Sequence, residues 1–236
     1  MVNKSGILYL IPTGIGDELP ENYLTPSVME IIRKLKCFVV ENEKSARAFL
    51  KLCQIESSQK DLLIHEIDKH NHSENYDDVI SWLREENNVG LLSEAGCPAV
   101  ADPGSRIVAL AHKKKFPVKP LTGPSSLLLA LMGSGLDGQR FRFNGYLPAE
   151  KQERREMIRK LDKEAKQRNE TQIFIETPYR NNAMLSDLLE FCNPETRLCL
   201  AVSLHTSTES IRTLSISKWK SEKPDLNKKP CVFLIL

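Results

Sequence analysis

The sequence lacks the signatures of the common hydrolases, phosphate-binding loops and zinc enzymes. No G-x-S-x-G, G-x-x-x-x-G-K-[ST] or H-E-x-x-H motif occurs in its 236 residues, so a nucleophile elbow, a P-loop and a zinc helix are excluded. The neighbouring histidines His65, His70 and His72 have no cysteine or carboxylate at metal-ligand spacing. We interpret them as surface residues and expect no metal site.

Long apolar runs and paired cysteines are also missing. The longest apolar runs, residues 127–132 and 231–236, are far shorter than the ~20 residues of a membrane helix. No secretory signal precedes the first predicted strand. The six cysteines have no C-x-x-C spacing and mostly lie in apolar runs, as reduced core thiols do. We therefore expect a cytoplasmic protein without membrane association.

The net charge is only +2, but the positive charge is concentrated in the second half of the chain. Residues 139–168 hold ten Lys and Arg against five acids, and residues 212–229 hold six against two. A polyanion would bind this half of the chain more readily than the first half. Charge alone fits solvated helix faces equally well.

Short apolar runs alternate with amphipathic segments through the first half, which predicts repeated strand–helix units. The second half shows more strands and fewer helices, which indicates a mixed sheet. The predicted fold is α/β, with a mostly parallel sheet in residues 1–121 and a mixed sheet in residues 122–236. Within the second half we expect residues 127–132 to be buried on all sides, a helix over residues 179–191 and a basic connection over residues 218–230.

Four predicted strand ends carry loops rich in Gly, Pro, Ser and Thr: residues 12–17, 93–98, 122–126 and 177–180. Ligands of open α/β sheets bind at the carboxyl ends of strands, so these loops predict a cleft for an extended organic cofactor. Ordinary α/β turns have a similar composition. A nicotinamide cofactor is disfavoured because Leu19 stands where the third glycine of a dinucleotide fingerprint is required.

Six segments, in the same order and spacing, resemble the tetrapyrrole methylase superfamily. They are LYLIPTGIGD, VVENEKSARAFL, LLSEAGCPAVADPGSR, LTGPSSLLLALMGSGL, RFNGYLPAEK and IFIETPYR. Within the superfamily the sequence is most similar to the bacterial small-subunit ribosomal RNA cytidine 2′-O-methyltransferases. The resemblance implies two α/β domains with S-adenosylmethionine held between them, a homodimer, and ribosomal RNA or the small ribosomal subunit as partner.

The resemblance also implies roles for individual residues. The cofactor-binding residues are expected where the sequence matches the family's Ser-Asp-Ala-Gly, Pro-Ser-Ala and Glu-Ser-Pro-His-Arg motifs. They are Ser93, Glu94, Ala95, Gly96, Ser125, Ser126 and Tyr179. Those expected to face the methyl acceptor are Lys44, Arg47 and Arg180. A hydroxyl acceptor must lose its proton during transfer, and the candidate bases are Glu41 and Glu176.

The sequence departs from the RNA enzymes on the acceptor side. Their Glu-Asp-Thr-Arg-His is Glu-Asn-Glu-Lys-Ser here, residues 41–45, and their Arg-Glu-Leu-Thr-Lys is Ser-Leu-His-Thr-Ser, residues 203–207. Two alternatives to RNA methylation therefore stay open. The acceptor could be a tetrapyrrole or another small molecule, or the chain could bind S-adenosylmethionine without turnover.

Overall fold

The computed structural model of the chain describes residues 5–68, 75–222 and 224–236. Internal contacts divide it into two compact units, Met1–Ser125 (unit 1) and Ser126–Leu236 (unit 2). The sequence predicts a domain boundary between residues 121 and 122. That the two parts are separate domains stays a proposal. Across these described ranges, no helix combines the length and the apolar character that crossing a membrane requires.

Unit 1 is built on a five-stranded sheet in which every described strand pairing is parallel. The strands are Leu8–Ile11 (β1), Cys37–Val40 (β2), Leu63–Glu66 (β3), Val89–Leu92 (β4) and Val118–Pro120 (β5). Their spatial order is β3-β2-β4-β1-β5. Because all five run in one direction, their carboxyl ends lie along a single edge of the sheet. The predicted parallel sheet is confirmed.

Helices cover both faces of this sheet. They are Pro20–Tyr23 (α1), Pro26–Lys34 (α2), Glu43–Leu52 (α3), Asp77–Arg84 (α4) and Ser105–Lys113 (α5), with a 3₁₀ turn at Gln59–Asp61. Successive strand residues point to opposite faces, so Phe38 packs with α2 and α3 while Val39 packs with α4 and α5. The three inner strands, β1, β2 and β4, are therefore covered on both sides, which explains their continuous apolar sequences. The edge strands β3 and β5 are partly exposed.

Unit 2 has a mixed sheet, as predicted. Its strands are Phe141–Tyr146 (β6), Thr171–Ile175 (β7), Arg197–Val202 (β8), Ser210–Ser215 (β9) and Cys231–Ile235 (β10), and its helices are Ser126–Ser134 (α6), Lys151–Arg168 (α7), Asn181–Phe191 (α8) and Ile216–Glu222 (α9). The strand order is β6-β7-β10-β8-β9, with β6 parallel to β7 and the remaining neighbours antiparallel. The core lies between this sheet and α7, α8 and α9.

Three local expectations for unit 2 are wrong. The segment 127–132 is not buried all round, because α6 packs one face on the sheet and leaves Leu128 52% and Met132 79% exposed. The helix expected from residue 179 begins at Asn181, since Arg180 N–H first closes a turn onto the Thr177 carbonyl. The expected connection over residues 218–230 begins with part of α9, which Trp219 anchors by donating its indole N–H to the Leu198 carbonyl at 2.8 Å.

The structure describes one of the three neighbouring histidines. His65 Nδ1 lies 2.9 Å from Asp78 Oδ2, and no group of three or more potential metal-ligating side chains occurs within the described ranges. His70 and His72 lie outside the described residues. The six cysteines are free thiols and all except Cys97 are buried, whereas the cytoplasmic location itself stays a prediction.

Candidate functional site

Three of the predicted strand-end loops meet at the carboxyl edge of the unit 1 sheet. Thr13 and Gly96 exchange backbone hydrogen bonds of 2.9 and 3.2 Å, which join the loop after β1 to the loop after β4. The Cys97 thiol lies 3.3 Å from the Pro124 carbonyl, which links the loop after β5 to the same group. Gly123 lies so close to Pro12 that a Cβ there would be 2.3 Å from the Pro12 Cβ.

The Ser93–Gly96 turn is closed by its own groups. Ser93 is buried, and its hydroxyl donates to the Gly96 carbonyl at 3.0 Å. Gly96 has φ +75°, a conformation that disfavours residues with a Cβ. The Thr13 hydroxyl donates to the Ser93 carbonyl at 3.2 Å. Thr13 lies in the predicted loop 12–17, but the sequence did not identify it as a site residue.

Glu94 connects the same turn to the start of α3. Its backbone N–H donates to Glu41 Oε1 at 3.1 Å, and its carboxylate accepts the Ser45 hydroxyl at 2.6 Å. Ser45 is held in place because its N–H donates to the side chain of Asn42, the residue that caps α3. Glu41 therefore braces the Ser93–Gly96 turn. Ser45 was a second residue missed in the sequence, whereas the neighbouring Ala95 is exposed.

The two cations expected on α3 have different surroundings. Lys44 is exposed to solvent. Arg47 forms an ion pair with Glu43 at 2.6 Å and donates to the Gln59 carbonyl. Because its guanidinium already has partners within unit 1, Arg47 holds α3 against the segment after it. Lys44 is the better placed of the two to meet an acceptor, and both roles stay predictions.

The second half of the loop after β4 is held by Asp102. Its carboxylate accepts the N–H groups of Ala99 and Gly104 at 2.7–2.9 Å. Ala99 and Ala101 have φ values of +64° and +62°, and non-glycine residues in this conformation cost on the order of 1–3 kcal/mol each. Backbone strain of this kind concentrates at ligand sites. The loop therefore holds Ala99 and Ala101 in a backbone conformation that alanine disfavours.

These loops border a cavity of about 190 Å³ within unit 1, lined by Thr13, Gly14, Tyr23, Ser93 and Glu94 among others. A Cβ on Gly14 would lie 3.0 Å from the Tyr23 hydroxyl, so glycine keeps this approach open. Burial, with a smaller effect of Cys53, raises the pKa of Tyr23 to about 12, so its hydroxyl stays protonated well into the alkaline range. Whole-ligand pockets usually measure roughly 300–1,000 Å³. The hydroxyl and carboxylate groups fit the polar parts of S-adenosylmethionine, and the volume fits a portion of it.

Unit 2 contributes a separate carboxylate centre at the end of β7. Glu176 is 5% exposed, and its Oε1 accepts the Thr177 N–H at 2.6 Å and two Arg180 nitrogens at 3.0 and 2.6 Å. Its Oε2 is buried and has no hydrogen-bond partner among the described residues. An unpaired buried carboxylate oxygen is energetically costly. It is also free to accept a proton or a donor from a ligand.

Three predicted cofactor residues remain, and each is described within its own unit. Ser125 is the last residue of unit 1, and Ser126 begins α6 in unit 2. Tyr179 lies in the turn before α8 and is 75% exposed. Their cofactor roles stay predictions.

Comparison with proteins of known sequence gives a consistent set of relatives. The family model described as Tetrapyrrole (Corrin/Porphyrin) Methylases matches residues 7–217. A ribosomal RNA small subunit methyltransferase I from Micromonospora olivasterospora is 35% identical over 78% of this chain, and the alignment spans 55% of that protein. The protein of the same name from Buchnera aphidicola is 29% identical over 100% of this chain and 79% of its own length.

Solved structures show the same fold. The methyltransferase CobJ has a TM-score of 0.62 at 18% identity, covering 98% of this chain and 93% of its own. The uroporphyrin III C-methyl transferase from Thermus thermophilus has a TM-score of 0.60 at 16% identity, covering 98% and 97%. With the family match over most of its length, the chain belongs to the tetrapyrrole methylase family of S-adenosylmethionine-dependent methyltransferases.

Proposed function

We propose that this protein transfers a methyl group from S-adenosylmethionine to a ribose 2′-hydroxyl of small-subunit ribosomal RNA. The observation that carries the proposal is the buried Glu176 carboxylate, which has one oxygen anchored and one oxygen without a partner. The relatives named ribosomal RNA small subunit methyltransferase I support the choice of RNA. The basic second half of the chain provides charge complementarity to a phosphate backbone.

The proposed chemistry needs a base because a ribose hydroxyl is a poor nucleophile until its proton leaves. When bound, S-adenosylmethionine supplies a methyl group on a sulfonium that is already a good leaving group. Glu176 Oε2 would accept the proton that the ribose hydroxyl loses when its oxygen is methylated. Arg180 holds the other carboxylate oxygen and so orients the base. Alignment of the reacting atoms supplies much of the remaining rate.

The other predicted residues receive proposed roles that follow from their contacts. Glu41 is a positioning residue, because it holds the Glu94 backbone. The Ser93–Gly96 turn, together with Ser125, Ser126 and Tyr179, is proposed to bind the cofactor, and Lys44 to meet an RNA phosphate. Arg180, expected to contact the acceptor, is proposed instead to act through Glu176.

We also propose that the protein forms a homodimer through α6. Leu128 and Met132 lie four residues apart, on one face of the helix, and both are more than half exposed. Adjacent exposed apolar residues of this size are typical of interaction surfaces. Sedimentation of wild type and Met132→Glu tests the proposal, because the variant should sediment as a monomer. A monomeric wild type would contradict it.

The test of function is product identification. Small-subunit rRNA from cells lacking the protein is incubated with purified protein and S-adenosylmethionine carrying a labelled methyl group. We expect label in the rRNA, recovered after nuclease digestion as a 2′-O-methylated nucleoside. Label on a base atom would overturn the 2′-O assignment, and label only in an added tetrapyrrole would overturn the RNA assignment. Binding of S-adenosylmethionine with no transfer to any acceptor would indicate a homologue without turnover.

A further inference from the structure

Unit 2 has a groove between β6 and α7 that takes no part in the site described above. It encloses about 270 Å³, and its lining includes Arg142, Tyr146, Met157, Lys160 and Glu164. β6 is an edge strand, because β7 is its neighbour on one side and no described strand lies on the other. The groove therefore opens beside unpaired backbone groups at the edge of the sheet.

The side chain of Tyr146 is exposed at this groove. Tyr146 ends β6 and is 57% exposed. The pairing of β6 with β7 shifts register between Phe143 and Tyr146, and Gly145 between them has φ +66°. An irregularity of this kind changes the direction in which a strand side chain points and often occurs beside functional sites. The local backbone thus presents the Tyr146 ring instead of burying it.

The groove also carries positive charge. Arg142 has a side chain that is 54% exposed, and Lys160 is exposed on the adjoining turn of α7. Glu156, one turn before Lys160, accepts the side-chain amide of Gln152, and among the described residues no ion pair engages the Lys160 ammonium. Two cations beside an exposed aromatic ring form the combination that single-stranded nucleic acids bind, through phosphates and stacked bases.

Inside the groove lies one unsatisfied acceptor. Glu164 Oε2 is buried and has no hydrogen-bond partner among the described residues. It forms an ion pair with Arg142, whose Nη1 lies 3.7 Å away, beyond hydrogen-bond distance. A carboxylate oxygen in this situation fits a ligand N–H donor, and Glu is a known acceptor for the exocyclic amino group of cytosine.

We infer that this groove binds one unpaired, amino-bearing base of a single-stranded RNA segment. The base stacks on Tyr146, its amino group donates to Glu164, and Arg142 and Lys160 lie within reach of the flanking phosphates. The volume is below the usual range for whole cofactors, so it fits a base rather than a complete nucleotide cofactor. The inference rests on the proposed function, and it assigns to that function an RNA contact outside the reacting centre.

The test uses fluorescence anisotropy of the full-length chain with labelled six-nucleotide oligocytidylate and oligouridylate. Tyr146→Ala should weaken oligocytidylate binding by about 5- to 150-fold, the usual effect of losing one stacked base. Tyr146→Phe keeps the ring and should bind within about twofold of wild type. Glu164→Gln should reduce the preference for oligocytidylate over oligouridylate.

Charge is tested on the same helix. Lys160→Gln should weaken binding and reduce the slope of log affinity against log salt by about 0.7, the value for one phosphate contact to a single strand. Lys166→Gln is the matched control, because Lys166 is exposed on α7 and does not line the groove. An equal effect of both variants would show that general helix charge, and not the groove, binds the RNA.

The outcomes separate this inference from the proposed function. Unchanged oligonucleotide affinity in folded Tyr146→Ala and Lys160→Gln, with methyl transfer to rRNA retained by wild type, would overturn the groove and leave the function standing. A wild type that neither binds RNA nor methylates it would overturn both. Displacement of bound oligonucleotide by free cytidine monophosphate as effectively as by RNA would indicate a mononucleotide site, and displacement by an acidic peptide alone would indicate a protein partner. Either result would overturn the inference.

Discussion

Replacing Glu176 with Gln separates the proposed base from the fold that holds it. Glutamine keeps an acceptor at the Oε1 position, where Thr177 N–H and two Arg180 nitrogens donate. It replaces Oε2, the oxygen without a partner, by an amino group that accepts no proton. The substitution therefore preserves most contacts and removes the proposed chemistry.

The two effects differ in size. Changing the Arg180 hydrogen bonds from charged to neutral acceptors costs about 1 kcal/mol of unfolding free energy, reduced by solvent because the Arg180 side chain is 40% exposed. Loss of a general base lowers transfer about 10²- to 10⁴-fold, equivalent to roughly 3–5 kcal/mol in the barrier. The rate should therefore fall far more than the stability.

The assay is single-turnover methyl transfer to rRNA at saturating S-adenosylmethionine, with cofactor affinity measured by calorimetry on the same preparations. Glu176→Gln should bind the cofactor like wild type and transfer the methyl group slowly. Glu190→Gln is the control, because Glu190 is an exposed acid on α8. A Glu176→Gln enzyme with the wild-type rate would refute the assignment of the base.

Three further predictions concern stability. Asp187 forms an ion pair with the buried Arg154, whose Nη2 lies 2.6 Å away. Asp187→Ala removes this counter-charge, and urea titration should show that the free energy of unfolding falls by about 3–5 kcal/mol. Replacing both residues by apolar ones should recover most of that free energy. Gly96→Ala should lower the free energy of unfolding by about 1–2 kcal/mol, because φ is +75° at this position. Gly138→Ala should lower it less in the same assay, because a Cβ there meets no atom within 4 Å. Burial raises the pKa of the Cys53 thiol from 9.0 to about 12, so its protonated form stabilises the fold below pH 9 and this contribution declines as pH rises towards 12. Cys53→Ala should flatten the decline in unfolding free energy over that range, and an unchanged slope would contradict the assignment.

The regular part of the fold was predictable because hydrophobic periodicity determines it. The four-residue apolar runs at Cys37–Val40 and Val89–Leu92 became strands buried on both faces, as parallel sheets require. Hydrophobic periodicity failed where a helix buries only one face or only a few residues. In α6 every residue from 127 to 132 is apolar, so periodicity alone could not show that Met132 faces outward. In α9 the buried residues are Ile216 and Trp219, and their neighbours are polar, so no apolar period identified the helix.

The candidate site was predictable as a set of loops but not as a set of contacts. Ser93, Glu94 and Gly96 were identified through motif resemblance, and Glu94 was expected to act on the cofactor alone. The hydrogen bonds of Glu94 with Glu41 and Ser45 join positions about fifty residues apart in the chain. Such pairings follow from strand order in the sheet, which periodicity does not reveal. Thr13 was missed for the same reason, because its partner Gly96 follows a different strand.

The most direct test of the central claim is mass spectrometry of small-subunit rRNA from cells with and without the protein. The account predicts that one ribose 2′-O-methylation is absent when the protein is removed, and that wild type restores it while Glu176→Gln does not. Ribosomal RNA that is fully modified in cells lacking the protein would contradict the claim that this methyltransferase acts on the small subunit.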